Sequence, residues 1–218
     1  MFLVFIPQHL EFKIYSIVML NLKKSEWGIL VFTLLYILGF SAYYLSIRNY
    51  EFLWYVAVLL IFFVLIAATF HRSKFDTIIL GGLSFWGLLH MAGGGVKVGA
   101  GVLYSLNLIP IFEIQNTSVL KFDQAVHFFG FAVSTLVVYH LLKPYLNRQT
   151  NWKVVYPVIA VAGMGLGAVN EIVEFIAVVS FPETNVGGYA NTALDLVFNF
   201  LGALAAILFI HFFYWKNK

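Results

Sequence analysis

Six long apolar runs alternate with short polar segments along the chain. A helix that crosses the hydrocarbon core of a bilayer needs about 20 mostly apolar residues. We therefore predict an all-α, polytopic membrane protein, in which residues 27–218 form a single bundle of about six transmembrane helices. The predicted spans are residues 27–47, 52–70, 77–91, 122–142, 154–179 and 189–215.

Two segments do not follow this pattern. Polar residues interrupt residues 1–26, for which we predict an interfacial segment, or an upstream extension if the natural start is Met19. Residues 92–121 begin with glycines and then mix polar and apolar positions, which is too irregular for a span exposed to lipid. We expect this second segment to form an outer loop, a re-entrant segment or a lid.

The composition also indicates a membrane protein. Charged residues make up 11% of the chain, whereas soluble domains contain about 25%. With six spans and a cytoplasmic N-terminus, ten of the thirteen Lys and Arg residues fall on the inner side, so the positive-inside rule predicts that both termini are cytoplasmic. The net charge of +3 then reflects topology and indicates no nucleic-acid partner. The absence of cysteine excludes disulfides and thiolate metal ligands.

Polar residues recur at similar depth in four of the predicted spans. Within each span they are spaced by one, three or four residues, and those three or four apart share a helical face. In the predicted topology they lie in the outer half of the membrane, within about 15 Å of the outer helix ends at 1.5 Å per residue. Ionisable residues at such positions are costly and indicate a functional site. The set comprises His90, Asp123, His127, Asn170, Glu171, Glu174, Asn191, Asp195 and Asn199.

This set predicts a metal site. It contains four carboxylates and only two imidazoles, so a divalent cation would relieve the repulsion among the acidic groups. Oxygen and imidazole ligands suit Zn, Mn, Fe or Mg. We predict that the metal ligands are His127, Glu171, Glu174 and Asp195, that the catalytic residues are His90, Asp123 and Glu171, and that Asn170, Asn191 and Asn199 orient the ligands through hydrogen bonds.

These residues also form motifs spread over residues 27–206. The motifs are His90-x-x-Gly93-Gly94, Tyr104, Pro110, Asp123-x-x-x-His127, Glu171-x-x-Glu174 and Asp195-x-x-x-Asn199-x-x-Gly202-Ala203. Together they resemble the YjdF-like family of bacterial and archaeal inner-membrane proteins, and the last two also resemble VanZ-like glycopeptide-resistance proteins. Phe175 departs from the pattern, which would have Trp after the second Glu. The resemblance implies a six-helix fold in a prokaryotic cytoplasmic membrane, without an established activity.

Three functions are compatible with these residues. The first is a metal-dependent hydrolase that acts on a lipid or lipid-linked envelope substrate, with residues 92–121 as a lid. The second is proton- or cation-coupled transport, against which the inner halves of the spans offer few polar residues. The third is a structural or accessory protein whose polar network fixes helix packing.

Overall fold

The computed structural model describes residues 22–114, 117–182, 184 and 186–215. These residues contain six long α-helices: α1 (Lys24–Ser46), α2 (Tyr50–Ser73), α3 (Thr77–Gly95), α4 (Phe122–Leu142), α5 (Trp152–Ser180) and α6 (Tyr189–Phe209). All six helices are long and apolar enough to cross a membrane. The prediction of an all-α, polytopic membrane bundle is therefore confirmed, whereas the cytoplasmic location of both termini stays a prediction.

The predicted interfacial segment and the last three residues of the predicted bundle extend beyond the described residues. Residues 1–21 of the predicted interfacial segment lie outside them, and Lys24 already begins α1. At the other terminus, α6 continues as a π-helix, Ile210–Trp215, after which residues 216–218 also lie outside the described part.

Helix α4 lies at the centre of the bundle. It packs against α3, α5 and α6, and half of its most apolar window is buried, compared with 17–39% for the other five helices. Helices α4 and α6 approach closely at Gly202, where any side chain would meet the backbone carbonyl of Phe128. Side chains on α4 can therefore reach three neighbouring helices at once.

Helix α3 ends at Gly95, four residues beyond the predicted end of the third span. Three consecutive glycines have a low helix propensity, which favours a loop. In the folded bundle, the aromatic rings of Phe52 and Tyr104 pack directly against Gly94 and Gly93, and all three glycines are buried. Tertiary packing thus keeps this segment helical where local propensity does not.

The connection between α3 and α4 contains two small antiparallel hairpins. Strands β1 (Lys97–Val98) and β2 (Gly101–Val102) pair first, around a turn in which Gly99 has a φ of 58°. A 3-10 turn, Leu103–Ser105, follows. Strands β3 (Glu113–Ile114) and β4 (Thr117–Ser118) then pair just before α4. The predicted irregular segment thus contains two short hairpins and a 3-10 turn at one end of the bundle, and its role as a lid stays a prediction.

The two ends of the bundle differ in their connections. The end that carries the α1–α2, α3–α4 and α5–α6 connections is called the site end here, and the other is called the opposite end. At the opposite end, Asp76 accepts hydrogen bonds from the Ile79 amide at 2.9 Å and from the Tyr214 hydroxyl at 2.6 Å. His140 Nε2 lies 2.8 Å from the carbonyl oxygen of Ser73. The opposite end is therefore more polar than the sequence suggested.

Candidate metal centre

His127 is the central residue of the polar cluster at the site end. It lies one turn after Asp123 on α4, and only 4% of its surface is exposed. Its Nδ1 lies 3.0 Å from Oδ1 of Asn199 on α6. An amide oxygen can only accept a hydrogen bond, so Nδ1 carries a proton and donates it. In the neutral imidazole this leaves the lone pair on Nε2.

The Nε2 atom of His127 faces two carboxylates from different helices. Asp123 Oδ1 lies 3.8 Å away and Glu174 Oε1 lies 3.7 Å away. Both distances exceed those of ordinary hydrogen bonds. Two ligand atoms that each lie about 2.1 Å from one cation are about 3.4 Å apart at a tetrahedral angle and about 4.2 Å apart when opposite. Each of these two spacings therefore suits a divalent cation held between His127 and that carboxylate.

Asn191 organises the carboxylates contributed by α4 and α6. Its Nδ2 donates to Asp195 Oδ2 at 2.6 Å and to Asp123 Oδ2 at 3.2 Å. Its Oδ1 accepts a hydrogen bond from the ammonium group of Lys121. Each aspartate thus uses one oxygen for the amide and keeps the other for a further ligand. Asp195 is fully buried, and its Oδ1 has no hydrogen-bond partner among the described residues.

Helix α5 supplies two further carboxylates. Glu174 Oε1 accepts a hydrogen bond from Asn170 Nδ2 at 2.8 Å. Glu171 Oε1 lies 3.5 Å from His127 Nδ1 and has no hydrogen-bond partner within the part of the chain that the structure describes. The crossing of α5 and α6 depends on Gly167, because a side chain at this position would occupy the space of the Asn199 side chain.

Two overlapping groups of these side chains have ligand atoms within 4.8 Å of one another: Asp123, His127 and Asp195, and His127, Glu171 and Glu174. The predicted metal ligands thus fall into two groups that share His127, with Asp195 in the first and Glu171 and Glu174 in the second. The three asparagines bond to members of these groups. Whether the two groups bind a metal stays a prediction.

His90 lies across a small cavity from this cluster. The cavity has a volume of about 20 Å³ and is bordered by His90, Asp123, Glu174 and Asn191, which is enough for one water molecule or ion. The Tyr104 hydroxyl lies 2.5 Å from His90 Nδ1 and donates to the His90 carbonyl at 3.0 Å. Burial, followed by the nearby carboxylates, raises the pKa of Tyr104 well above its ordinary value. Tyr104 therefore stays a donor and ties the α3–α4 connection to α3.

Sequence reasoning missed two charged residues at this site. Glu51, in the first turn of α2, is 6% exposed and borders the same cavity. Lys121, directly before α4, reaches the cluster through Asn191, although the sequence offered only the two histidines as nearby positive groups. The position of Lys121 two residues before Asp123 was a usable signal. Nothing in the sequence around Glu51 indicated that α2 would reach the site.

The charges around His127 are unbalanced. If Asp123, Glu171, Glu174 and Asp195 are ionised, Lys121 offsets one of their four negative charges and a protonated His127 would offset one more. At least two negative charges then remain in a region where water is scarce. A divalent cation carries that amount of positive charge, and the donor atoms are oxygen and imidazole nitrogen, which suit such ions.

The fold and the cluster define a polytopic helical membrane protein with a buried histidine–carboxylate site at one end. Residues 27–216 match a family described as predicted membrane protein (DUF2238), and the chain belongs to this family. No curated protein and no solved structure matches the chain. The predicted relation to YjdF-like and VanZ-like proteins stays a prediction, as does a prokaryotic cell membrane.

Proposed function

We propose that the cluster around His127 binds a divalent cation and that the protein is a metal-dependent membrane hydrolase. The observation that carries this proposal is that His127 shares two groups of ligand atoms, one with Glu171 and Glu174 and one with Asp123 and Asp195. In each group the three ligand atoms lie within 4.8 Å of one another. A carboxylate-rich donor set with one imidazole suits Mn, Fe, Mg or Zn.

The chemistry follows from the ion and from the residues around it. When bound, such a cation would lower the pKa of a water molecule and so supply a hydroxide nucleophile near neutral pH. The adjoining cavity provides room for one water molecule. His90 borders this cavity and is positioned to take up or release a proton there, with its ring held by Tyr104. Lipids and lipid-linked envelope precursors are the proposed substrates, because the site lies within helices that can cross a membrane.

Elemental analysis tests the cation site directly. Detergent-purified protein is washed with chelator, loaded separately with Zn, Mn, Fe or Mg, desalted and measured by mass spectrometry. We expect about one ion per chain in the wild type and in Glu113→Gln, which neutralises an exposed carboxylate. We expect essentially none in Glu174→Gln and in Glu171→Gln. Equal retention in all four proteins would refute the metal site.

The hydrolase activity needs its own experiment. Loaded and chelator-stripped protein is incubated in vesicles with a panel of phospholipids and polyprenyl-linked phosphates, and the products are identified by mass spectrometry. The proposal expects a product that requires both the cation and Glu174. If the protein retains the metal but hydrolyses none of these lipids, the hydrolase proposal is refuted and only the cation-binding proposal stands.

The alternative with a specific observation in its favour is a structural polar network. If His127 carries two protons, its Nε2–H points towards Asp123 and Glu174 as a long ion pair. Such a network would hold α4, α5 and α6 together without a metal. It predicts no retained ion in the wild type and a loss of stability in Glu174→Gln.

A further inference from the structure

The segment of residues 106–114, here called the apolar arm, exposes a row of large apolar side chains outside the six helices. Its most exposed members are Ile109 at 58%, Ile111 at 57% and Phe112 at 56%, and Leu108 is exposed by 44%. Glu113 is the only charged residue in the segment. Soluble surfaces rarely present so many adjacent apolar side chains, and such patches mark contact with a partner or a membrane.

The backbone of the apolar arm is held in place along one edge. The amide of Leu108 donates to the Leu120 carbonyl at 3.0 Å, and the amide of Val119 donates to the Phe112 carbonyl at 2.9 Å. Residues 107 and 121 form a β-bridge between these two bonds and α4. The arm is therefore held at both ends against the residues that lead into α4, and only its last two residues form a strand, β3 of the second hairpin.

The returning strand of this hairpin faces the bundle. Val119 is only 8% exposed, and the side chain of Gln124, which is fully buried on α4, accepts hydrogen bonds from the amides of Leu120 and Lys121 at 2.5 and 3.0 Å. These contacts fix the orientation of the hairpin. With the returning strand against the bundle, the large apolar side chains of the arm stay exposed.

We propose that the apolar arm lies in the lipid interface of the leaflet at the site end. The bilayer is the partner that contacts this surface in the proposal, because six helices of the same chain can cross a bilayer. Exposed apolar residues also lie near the site end of the helices themselves, among them Leu45 on α1 at 63% and Val179 on α5 at 65%. Amphipathic segments bury their apolar side among headgroups and acyl chains in this way.

The unpaired backbone groups of the arm limit how deeply the arm can enter the membrane. Backbone amides and carbonyls without partners are costly in the hydrocarbon core. The arm pairs with its neighbour along one edge, so its other edge needs water or headgroups. The structure therefore assigns the arm to the headgroup boundary and not to a re-entrant span. This assignment does not depend on whether the cluster binds a cation.

Depth-dependent quenching tests the position of the arm. The chain has no cysteine, so Ile109→Cys and Phe112→Cys each provide a unique site for an environment-sensitive fluorophore. Gln149→Cys, at an exposed position of the α4–α5 connection, is the control. Each labelled protein is reconstituted in phosphatidylcholine–phosphatidylglycerol vesicles. The vesicles also contain a lipid with a nitroxide near the headgroup end of its acyl chain.

The expected result is that the nitroxide lipid quenches the Ile109 and Phe112 probes several-fold more than the Gln149 probe, and that aqueous iodide quenches them several-fold less. Probes on the arm that respond to iodide like the Gln149 probe and not to the nitroxide would overturn the proposal. Disulfide formation between copies of Phe112→Cys that rises with protein density, together with weak lipid quenching, would assign the surface to a second copy instead.

Discussion

The two ends of the bundle use buried polar residues in different ways. At the opposite end, both carboxylate oxygens of Asp76 accept hydrogen bonds, and His140 bonds to the Ser73 carbonyl. At the site end, carboxylates from three helices surround His127, and the Oδ1 of Asp195 and Oε1 of Glu171 have no hydrogen-bond partner among the described residues.

The difference indicates which end is structural and which is functional. Buried polar groups are normally satisfied, because an unsatisfied group costs about 1–3 kcal/mol. At the opposite end, Asp76 and His140 follow this rule and need no ligand to explain them. At the site end, two carboxylate oxygens and the amide nitrogen Nδ2 of Asn199 depart from it among the described residues, and the carboxylate oxygens are the atoms that a cation would satisfy. The predictions below test this contrast, from the largest expected effect to the smallest.

Removing one imidazole from each end should separate the two roles most clearly. We expect His127→Ala to lose essentially all bound divalent cation, because it removes the nitrogen that faces Asp123 and Glu174. His140→Ala removes the bond to Ser73 and a ring contact with Phe75, both at the opposite end, and should retain about one ion per chain. The measurement is metal content after desalting, with gel filtration to confirm folding. Equal metal content in the two variants would show that the ends do not differ in this respect.

Thermal unfolding with and without cation should give opposite results for wild type and Glu174→Gln. At a cation concentration of about 100 times the dissociation constant, the wild type should gain about 2.7 kcal/mol. Glu174→Gln should gain nothing. In chelator the variant should be at least as stable as the wild type, because it removes one of several repelling carboxylates. If the cation raises the free energy of unfolding equally in both proteins, the ion binds at a site that does not include Glu174.

Two glycines on α5 allow a matched test of whether the position of Asn199 affects cation binding. A methyl group at Gly167 would displace Asn199, whereas nothing lies within 4 Å of a methyl group at Gly165. We expect Gly167→Ala to weaken cation binding about 10–100-fold, the usual effect of losing a group that orients a ligand. Gly165→Ala should bind like the wild type. Titration calorimetry measures both, and unchanged affinity in Gly167→Ala would mean that Asn199 does not orient His127.

At the opposite end, the effect of a substitution should be on stability alone. Asp76→Ala removes the cap of α3 and leaves the Tyr214 hydroxyl without its acceptor. We expect it to lower the free energy of unfolding by about 1–2 kcal/mol. Asp76→Asn keeps an acceptor for the α3 amide and should lose less. Cation affinity should stay unchanged in both, so a weaker affinity in Asp76→Ala would show that the two ends are coupled.

The sequence predicted the helices and most of the cluster for separate physical reasons. Long apolar runs identify membrane spans because each span must bury a fixed length in lipid. The approach of His127 to Glu174 followed from their shared depth and the alternating direction of the spans, although the two residues are far apart in the chain. The bound cation and the reaction stay predictions, because the proximity of side chains alone does not identify the ligand that they bind.

The remaining features depend on contacts between distant segments. The helical conformation of Gly93–Gly95 requires the rings of Phe52 and Tyr104, which no local propensity reveals. Glu51 reaches the site cavity only because α2 packs against α3 near His90. The pairing of the apolar arm with residues 117–122 likewise depends on how the connection folds back, which an irregular stretch of sequence does not specify.

The direction of the helices makes the two carboxylates that face His127 unequal. Asp123 lies in the first turn of α4, at the positive end of the helix macrodipole, where a negative charge is favoured by about 0.3–1 kcal/mol. Glu174 belongs to α5, which ends at the same side of the bundle and so directs its negative pole there. The backbone therefore favours negative charge on Asp123 and gives no such support to Glu174. A cation bound beside His127 would therefore matter most for the charge of the carboxylate on α5.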